Sequence, residues 1–273
     1  MNFDLLGLRT FERGRLNLAL YEQPGSGMPV VFQHGLCGSA RQTAEVFPDD
    51  PALRLVTLEC RGHGASPLGP LERVSIGQFA DDVAAVIERL GAPAILGGIS
   101  MGAAIALRLA VRRPELVRAL ALVRPAWALQ DAPTNMLPNA EVGDLLLADD
   151  PPQARRRFEA SATAQRLART SPDNLKSLLG FFDRAPQSDT AQLLVRIAAD
   201  GPDVTRKEVA AIRVPTLVVG CLADEIHPWA VAAKLAEAIS AAELVQVTGK
   251  SIDRDAYVAE MHAVLRAFFR SVP

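Results

Sequence analysis

Cysteine and histidine are scarce in this chain of 273 residues, and each shortage excludes a class of protein. The three cysteines, Cys37, Cys60 and Cys221, are widely spaced and odd in number, so they predict neither a disulfide framework nor a Cys-x-x-Cys site. The four histidines, at positions 34, 63, 227 and 262, lack the spacing of metal ligands. We therefore expect a protein of the reducing cytoplasm that needs no metal and no cofactor.

Long apolar runs and an excess of one charge are also absent. No stretch approaches the length of a membrane-spanning helix, and the N-terminal segment MNFDLLGLRTFERG lacks the basic and apolar regions of a signal peptide. The net charge is −2, from 29 Lys and Arg against 31 Asp and Glu, which gives no electrostatic basis for binding nucleic acid or an acidic membrane. A small molecule is the expected partner, and no feature indicates an oligomeric state.

Short apolar runs alternate with helical patterns over most of the chain. The runs have the length and branched content of buried strands, and they cover 30–33, 53–58, 94–99, 116–123, 216–219 and 243–247. The helical patterns cover 41–47, 75–90, 101–112, 229–239 and 253–269, and the N-terminal segment is typical of an antiparallel hairpin. This order predicts an α/β fold, with a mostly parallel sheet and helices on both faces.

The alternation stops between residues 124 and 212, which are rich in Pro, Ala, Arg and Asp and contain no convincing strand. Asp150 and Pro151 are suited to the cap and the first turn of a helix there. We therefore divide the chain into a core, residues 1–123 and 213–273, and a helical insertion, residues 124–212. The insertion is predicted to form a lid over the carboxyl edge of the sheet.

The segment GGISMG, residues 97–102, carries the strongest chemical signal. It follows a predicted strand, opens a predicted helix and contains the G-x-S-x-G pattern around Ser100. A serine in that pattern occupies a tight, strained turn, so the residues two positions before and after it must be small. The N-terminus of the following helix favours negative charge beside the hydroxyl. The pattern predicts that Ser100 is a nucleophile.

Three further segments, taken in order with GGISMG, resemble the α/β-hydrolase fold superfamily, in its epoxide-hydrolase and haloperoxidase-like branch. His34-Gly35 resembles the HG turn of that family, RGHGAS (61–66) its GxGxS signature, and VVGCLADEIHP (218–228) the strand and loop that supply its acid. The resemblance covers nearly the whole chain. It implies an eight-stranded, mostly parallel sheet and the chemistry of a serine hydrolase.

The resemblance also implies a role for several residues. Ser100 would attack a carbonyl carbon, and the backbone N–H groups of Leu36 and Met101 would form the oxyanion hole. Asp224 matches the acid that orients the base and stabilises it when charged.

The histidine that serves as base in this family is missing from its usual place, the loop after the last strand. That loop is TGKSIDRD, residues 248–255, and the expected position holds Lys250 or Ser251. Since a serine hydroxyl is a poor nucleophile without a base, the departure puts the mechanism in question.

Four explanations stay open. His227, three residues after Asp224, is the candidate replacement base. His262 on the last helix and Lys250 are two others, although nearby carboxylates would keep Lys250 charged. In the fourth explanation the triad is broken, and only residual activity or ligand binding remains.

Ligands of parallel α/β sheets bind at the carboxyl edge of the strands. Arg124 and Trp127 come directly after a predicted strand, so we expect them in the substrate pocket together with His34. Arg124 would suit a carboxylate or phosphate, and Trp127 an apolar group.

The leading functional hypothesis is a hydrolase that acts through Ser100 on a small ester or a related carbonyl compound. One alternative is a non-catalytic protein that binds a small molecule on the same scaffold. Another is an enzyme that cleaves a C–C bond beside a carbonyl group. Fold alone does not choose among them.

Overall fold

The computed structural model describes residues 1–91 and 93–272, and eight strands in that part of the chain form one sheet. The strands are β1 (Gly7–Arg13), β2 (Leu16–Glu22), β3 (Met28–Gln33), β4 (Leu53–Leu58), β5 (Ala94–Ile99), β6 (Val117–Val123), β7 (Thr216–Cys221) and β8 (Ala242–Val247). The helices are α1 (Ala40–Val46), α2 (Ile76–Arg89), α3 (Met101–Arg112), α4 (Leu137–Ala148), α5 (Pro151–Glu159), α6 (Ala162–Thr170), α7 (Pro172–Gly180), α8 (Gln187–Ala198), α9 (Arg206–Val209), α10 (Trp229–Ala238) and α11 (Arg254–Ser271).

The strand order across the sheet is β1-β2-β4-β3-β5-β6-β7-β8. The first two strands form an antiparallel hairpin, β2 pairs antiparallel with β4, and the other neighbours are parallel. The central strands β5 and β7 are buried along their whole length, as expected for strands covered on both faces. The predicted mostly parallel sheet is confirmed.

Helices bury apolar side chains on both faces of the sheet. On one face, Phe79 of α2, Ile105 of α3 and Leu235 of α10 belong to one buried cluster. On the other face, Phe47 and Phe269 pack with stacked rings 5.8 Å apart. The parallel strands therefore end at one edge, where the loops after β3, β5, β6, β7 and β8 come together.

Helices α4 to α9 lie between β6 and β7, and the structure describes no strand between residues 124 and 215. Helices α4 and α8 pack closely, since a Cβ atom on Gly143 would lie 2.9 Å from Cβ of Leu194, and Val142 and Leu194 are both fully buried. The helical content of this insertion agrees with the sequence pattern, while its role as a lid stays a prediction. Along the described residues, no helix combines the length and the apolar composition required to cross a membrane.

A buried carboxylate fixes the loop that follows β4. Asp82 of α2, whose side chain is 1% exposed, accepts hydrogen bonds from Nε of Arg61 at 2.6 Å and from Nε of Arg13 at 3.0 Å. Arg61 begins the RGHGAS loop, so Asp82 ties that loop to a helix on one face of the sheet.

The turn between β5 and α3 leaves no room for side chains at its glycines. A Cβ atom on Gly102 would lie 2.3 Å from the carbonyl oxygen of Gln33, and one on Gly98 would lie 2.5 Å from the carbonyl carbon of Gly102. Helix α3 therefore crosses the end of β3 in direct backbone contact.

We expect Asp82→Asn to lower the free energy of unfolding by about 3–5 kcal/mol, because it leaves the Arg61 guanidinium buried without a charged partner. Urea-induced unfolding measures the change. Asp81→Asn is the matched control, since Asp81 is the exposed neighbour of Asp82 on the same helix, and its effect should stay within about 0.5 kcal/mol. Equal effects of the two substitutions would contradict the structural role of Asp82.

We expect Gly102→Ala to destabilise the protein by about 2 kcal/mol or more, because the added methyl group overlaps the Gln33 carbonyl and the backbone must shift. Thermal or urea unfolding tests this. Gly180→Ala at the end of α7 is the control, since no atom lies within 4 Å of its added Cβ and the change should be under about 1 kcal/mol. A neutral Gly102→Ala would show that α3 does not cross β3 as closely as described.

Candidate active site

Ser100 lies in a strained turn between β5 and α3. Its backbone has φ 56° and ψ −110°, a conformation that costs a non-glycine residue about 1–3 kcal/mol. Its amide donates a hydrogen bond of 3.0 Å to the carbonyl oxygen of Val123 at the end of β6. The side chain faces a cavity of about 490 Å³ at the carboxyl edge of the sheet, a size suited to a small molecule.

Two backbone N–H groups beside Ser100 have no acceptor among the described residues. Met101 is the first residue of α3, where an amide has no partner inside its helix, and Leu36 follows the HG turn. A Cβ atom on Gly35 would lie 3.3 Å from Cβ of Ser100, so the HG turn packs directly against the serine. These two amides are the donors of the predicted oxyanion hole, and that role stays a prediction.

Asp224, in the loop after β7, is buried in an ion pair with Arg124. Nη2 and Nε of Arg124 lie 2.6 Å and 2.8 Å from Oδ2 of Asp224, and the two side chains are 7% and 4% exposed. Burial raises the pKa of the Asp224 carboxyl, but Arg124 and His227 outweigh burial and hold that pKa well below its usual range. Asp224 is therefore a carboxylate at neutral pH.

His227 is oriented by Asp224. Its Nδ1 lies 2.9 Å from Oδ1 of Asp224, and its backbone amide donates to the same oxygen at 3.0 Å. Because a carboxylate only accepts, Nδ1 carries the proton and Nε2 holds a lone pair. Burial lowers the pKa of His227 below its ordinary value of 6.5; Asp224 partly opposes this shift and Arg124 adds to it. His227 is therefore neutral at pH 7.

Ser100 and His227 line the same cavity. The hydrogen bonds of the described residues include none that joins the two side chains. Such bonds between a nucleophile and its base often form only when substrate is bound.

The loop that carries Asp224 and His227 is held by the helical insertion. Oδ1 of Asn174 in α7 accepts from the amides of Glu225 at 2.8 Å and of Ile226 at 3.1 Å. Nδ2 of Asn135 donates to the carbonyl oxygen of Ile226 at 2.8 Å. These three hydrogen bonds therefore fix the loop to the insertion.

Lys250 occupies the position after β8 and also lines the cavity. Its Nζ forms an ion pair with Glu45 at 3.2 Å and lies 5.0 Å from the centre of the Tyr257 ring. An ammonium group in an ion pair has no lone pair with which to accept a proton. His262 lies outside the cavity lining, and its Nε2 is 2.8 Å from the carbonyl oxygen of Glu45.

The structure places two predicted pocket residues elsewhere. His34 is fully buried, its Nδ1 is 2.9 Å from the carbonyl oxygen of Gly35, and its Nε2 accepts from the amide of Cys60. Trp127 is 1% exposed and donates from Nε1 to the carbonyl oxygen of Asp200. Neither side chain lines the cavity, so the prediction that they are pocket residues is replaced by a structural role, in which each ties one loop to another. Arg124, the third predicted pocket residue, does line the cavity.

The insertion also supplies cavity residues. They are Met136, Asn139, Asp173, Asn174, Ser177, Leu178, Gly180, Phe181 and Arg184. No motif marks them, since their common property arises only from the packing of α4 and α7 above the sheet. Within the described residues, no three His, Cys, Asp or Glu side chains are grouped as a metal site requires.

Known proteins resemble this chain along most of its length. The model of the family described as alpha/beta hydrolase fold matches residues 28–250. YisY of Bacillus subtilis (strain 168), named an AB hydrolase superfamily protein, is 30% identical over 233 residues, which cover 82% of this chain and 84% of YisY. RutD of Rhizobium rhizogenes (strain K84 / ATCC BAA-868) is 30% identical over 227 residues, which cover 79% of this chain and 82% of RutD.

A solved structure supports the same relationship. Rv0554 from Mycobacterium tuberculosis superposes with a TM-score of 0.68 at 26% sequence identity, and the alignment covers 94% of each chain. The match of the family model over most of the chain, the identity with YisY and the eight-stranded sheet lead to one conclusion: this chain belongs to the α/β hydrolase fold family.

Proposed function

We propose that the protein is a serine hydrolase of small esters, with Ser100 as nucleophile and His227 as base. The observation that carries the proposal is the position of His227, which lines the same cavity as Ser100 while Asp224 holds its Nδ1. A base oriented through one nitrogen and free at the other is what a serine nucleophile needs.

Acylation uses each of these groups. Ser100 Oγ attacks the carbonyl carbon of the ester, and its proton passes to Nε2 of His227. The oxygen of the tetrahedral intermediate accepts hydrogen bonds from the amides of Leu36 and Met101, each of which contributes about 3 kcal/mol when such a donor is preorganised. His227 then gives its proton to the departing alkoxide, and Asp224 stabilises the imidazolium between the two transfers.

Deacylation repeats the sequence with water. His227, neutral again, takes a proton from a water molecule as its oxygen attacks the acyl-Ser100 carbonyl carbon. The tetrahedral intermediate collapses, the acid product leaves, and His227 returns the proton to Ser100 Oγ. No external reductant, oxidant or metal enters this balance.

His227 is a better candidate for the base than Lys250. Lys250 reaches the cavity, but its Nζ lies 3.2 Å from the Glu45 carboxylate rather than beside Ser100. Base function also requires that the group be uncharged, and the lowered pKa of His227 supports this at neutral pH.

The name of one relative supports a substrate in which a carbonyl carbon carries a leaving group. The name of RutD proposes carbamate hydrolysis. Carbamates and esters both form a tetrahedral intermediate whose oxyanion needs the same donors.

We expect a fluorophosphonate to label the wild-type protein at Ser100, as detected by intact mass. Labelling should be absent in Ser100→Ala and about 10³-fold or more slower in His227→Ala, because removal of a triad histidine abolishes most nucleophile activation. His262→Ala is the control, since that histidine lies outside the cavity lining, and it should label at the wild-type rate.

The alternatives separate clearly in this experiment. An unlabelled wild type would overturn the hydrolase proposal and favour a non-catalytic ligand-binding protein. Normal labelling of His227→Ala would assign the base to another residue, and Lys250→Ala would be the next variant to measure.

We expect kcat/KM for p-nitrophenyl acetate to fall on the acid side with a midpoint below pH 6.5. His227 must be deprotonated to act, and burial lowers its pKa below 6.5, so activity persists at pH 6.5 and declines tenfold per pH unit only below the midpoint. Stopped-flow or plate-reader assays from about pH 4.5 to about pH 8 measure the profile.

The control for this profile is Glu225→Gln, which removes a half-buried charge on the same loop that pairs with Arg166. It should leave the midpoint in place, and the residual activity of His227→Ala should lack the acid limb. A midpoint above 6.5 in the wild type would contradict the assignment of His227 as the base.

A further inference from the structure

One cation of the cavity has no carboxylate partner. Arg184 follows the short turn after α7 and lines the cavity, and Nη1 donates to Oγ1 of Thr190 at 2.8 Å while Nη2 donates to the carbonyl oxygen of Gly62 at 2.5 Å. Across residues 1–91 and 93–272, no Asp or Glu forms an ion pair with it. Two neutral acceptors therefore fix the guanidinium, and its charge is not balanced.

The other cations in the lining are neutralised. Arg124 is paired with Asp224 at 2.6 Å, and Lys250 is paired with Glu45 at 3.2 Å. Asp173 is the acidic side chain in the lining, and it lies 3.9 Å from Arg124 rather than against Arg184. The unmatched positive charge of the cavity is therefore located at Arg184.

A second polar group in the cavity wall also lacks a partner. Asn139 of α4 is 5% exposed, and its Oδ1 is buried with no hydrogen-bond partner among the described residues. A buried polar atom without a partner costs about 1–3 kcal/mol. A purely alkyl ligand would leave the charge of Arg184 unbalanced, so the cavity is suited to an anionic occupant.

The order of the strands places Arg184 and His227 relative to Ser100, and so indicates whether the acyl group or the leaving group of an ester lies near Arg184. Gly62, which fixes Arg184, follows β4, Ser100 follows β5, and His227 follows β7. Because β3 lies between β4 and β5 and β6 lies between β5 and β7, Arg184 is anchored on one side of the nucleophile and His227 lies on the other. The leaving group must lie beside His227, which protonates it, so the acyl group extends toward Arg184.

The pKa of the Cys37 thiol shows that the charge of Arg184 reaches the turn after β3. Burial raises the pKa of the Cys37 thiol to about 12, and the positive charge of Arg184 opposes that rise. Cys37 belongs to the turn after β3 that also supplies the Leu36 amide.

We propose that the substrate is an ester whose acyl group ends in a carboxylate, and that Arg184 binds this carboxylate at the wall opposite His227. This inference rests on the proposed serine-hydrolase function for the position of the leaving group. The anion-binding role of Arg184 itself does not depend on catalysis.

The test compares two esters of the same chain length, mono-p-nitrophenyl adipate and p-nitrophenyl hexanoate, after subtraction of spontaneous hydrolysis. The wild type should prefer the anionic ester in kcat/KM by about tenfold or more, as expected for one charge-assisted hydrogen-bonded pair. Arg184→Gln should lower kcat/KM for the adipate ester by about 10- to 100-fold and change that for hexanoate by less than about threefold. Arg184→Lys should restore part of the preference.

Arg155→Gln is the matched control, because it removes an arginine that pairs with Asp183 on the outer surface of the same insertion. It should keep the wild-type preference. Equal losses for both esters in Arg184→Gln, or no preference in the wild type, would overturn the proposal, since they are the results of a merely structural role.

A binding measurement separates this proposal from the proposed function. Adipate is titrated into wild type, Ser100→Ala and Arg184→Gln by calorimetry. If neither ester is hydrolysed but adipate binds at least about tenfold more weakly to Arg184→Gln, the hydrolase proposal fails and the anion site stands. If adipate binds none of the proteins, or binds all equally, the anion site is wrong.

Discussion

The buried ion pair between Arg124 and Asp224 is the interaction on which the rest of the candidate active site depends. Burial alone would raise the pKa of the Asp224 carboxyl, and Arg124 counters this effect and keeps the group ionised. The ionised carboxylate in turn fixes the tautomer of His227. Breaking one partner of such a pair costs about 3–5 kcal/mol, so the pair resists substitution more strongly than a surface contact does. Arg124 itself has a φ of 44°, which places backbone strain at this edge next to that of Ser100.

His227, the proposed base, lies in the loop after β7 rather than in the loop after β8, and the order of the strands explains why it still lines the cavity with Ser100. Strands β5, β6 and β7 are neighbours with a spacing of about 5 Å, so the loops after them begin close together at the same edge of the sheet. In the proposed mechanism the acid and the base are three residues apart on one loop, and the position after β8 holds Lys250 and its ion pair with Glu45. The compact arrangement also brings Arg124 close to His227, which makes the imidazole a weaker base than a histidine facing Asp224 alone.

The strands and the Ser100 turn were predictable because continuous apolar runs and closely spaced glycines leave few alternatives. Asp224 followed from the resemblance of residues 218–228 to the strand and loop that supply the acid of the family. The orientation of His227 could not be read from sequence, since a histidine before a proline fits an ordinary loop equally well. His34 and Trp127 were misplaced because the polar atoms of both side chains bond to backbone groups of distant segments. The cavity positions of Arg184 and Asn139 could not be read from the sequence, because they depend on how α4 and the segment after α7 pack.

Asn174 has a consequence for the movement of the insertion. The same helix that forms one wall of the cavity also holds the amides of Glu225 and Ile226, one and two residues after the acid. Any displacement of α7 that widens the cavity breaks those two bonds and frees the loop on which His227 stands. Opening of the cavity and the position of the His227 loop are thus mechanically linked, and in the proposed mechanism the base stays in place only while α7 is docked.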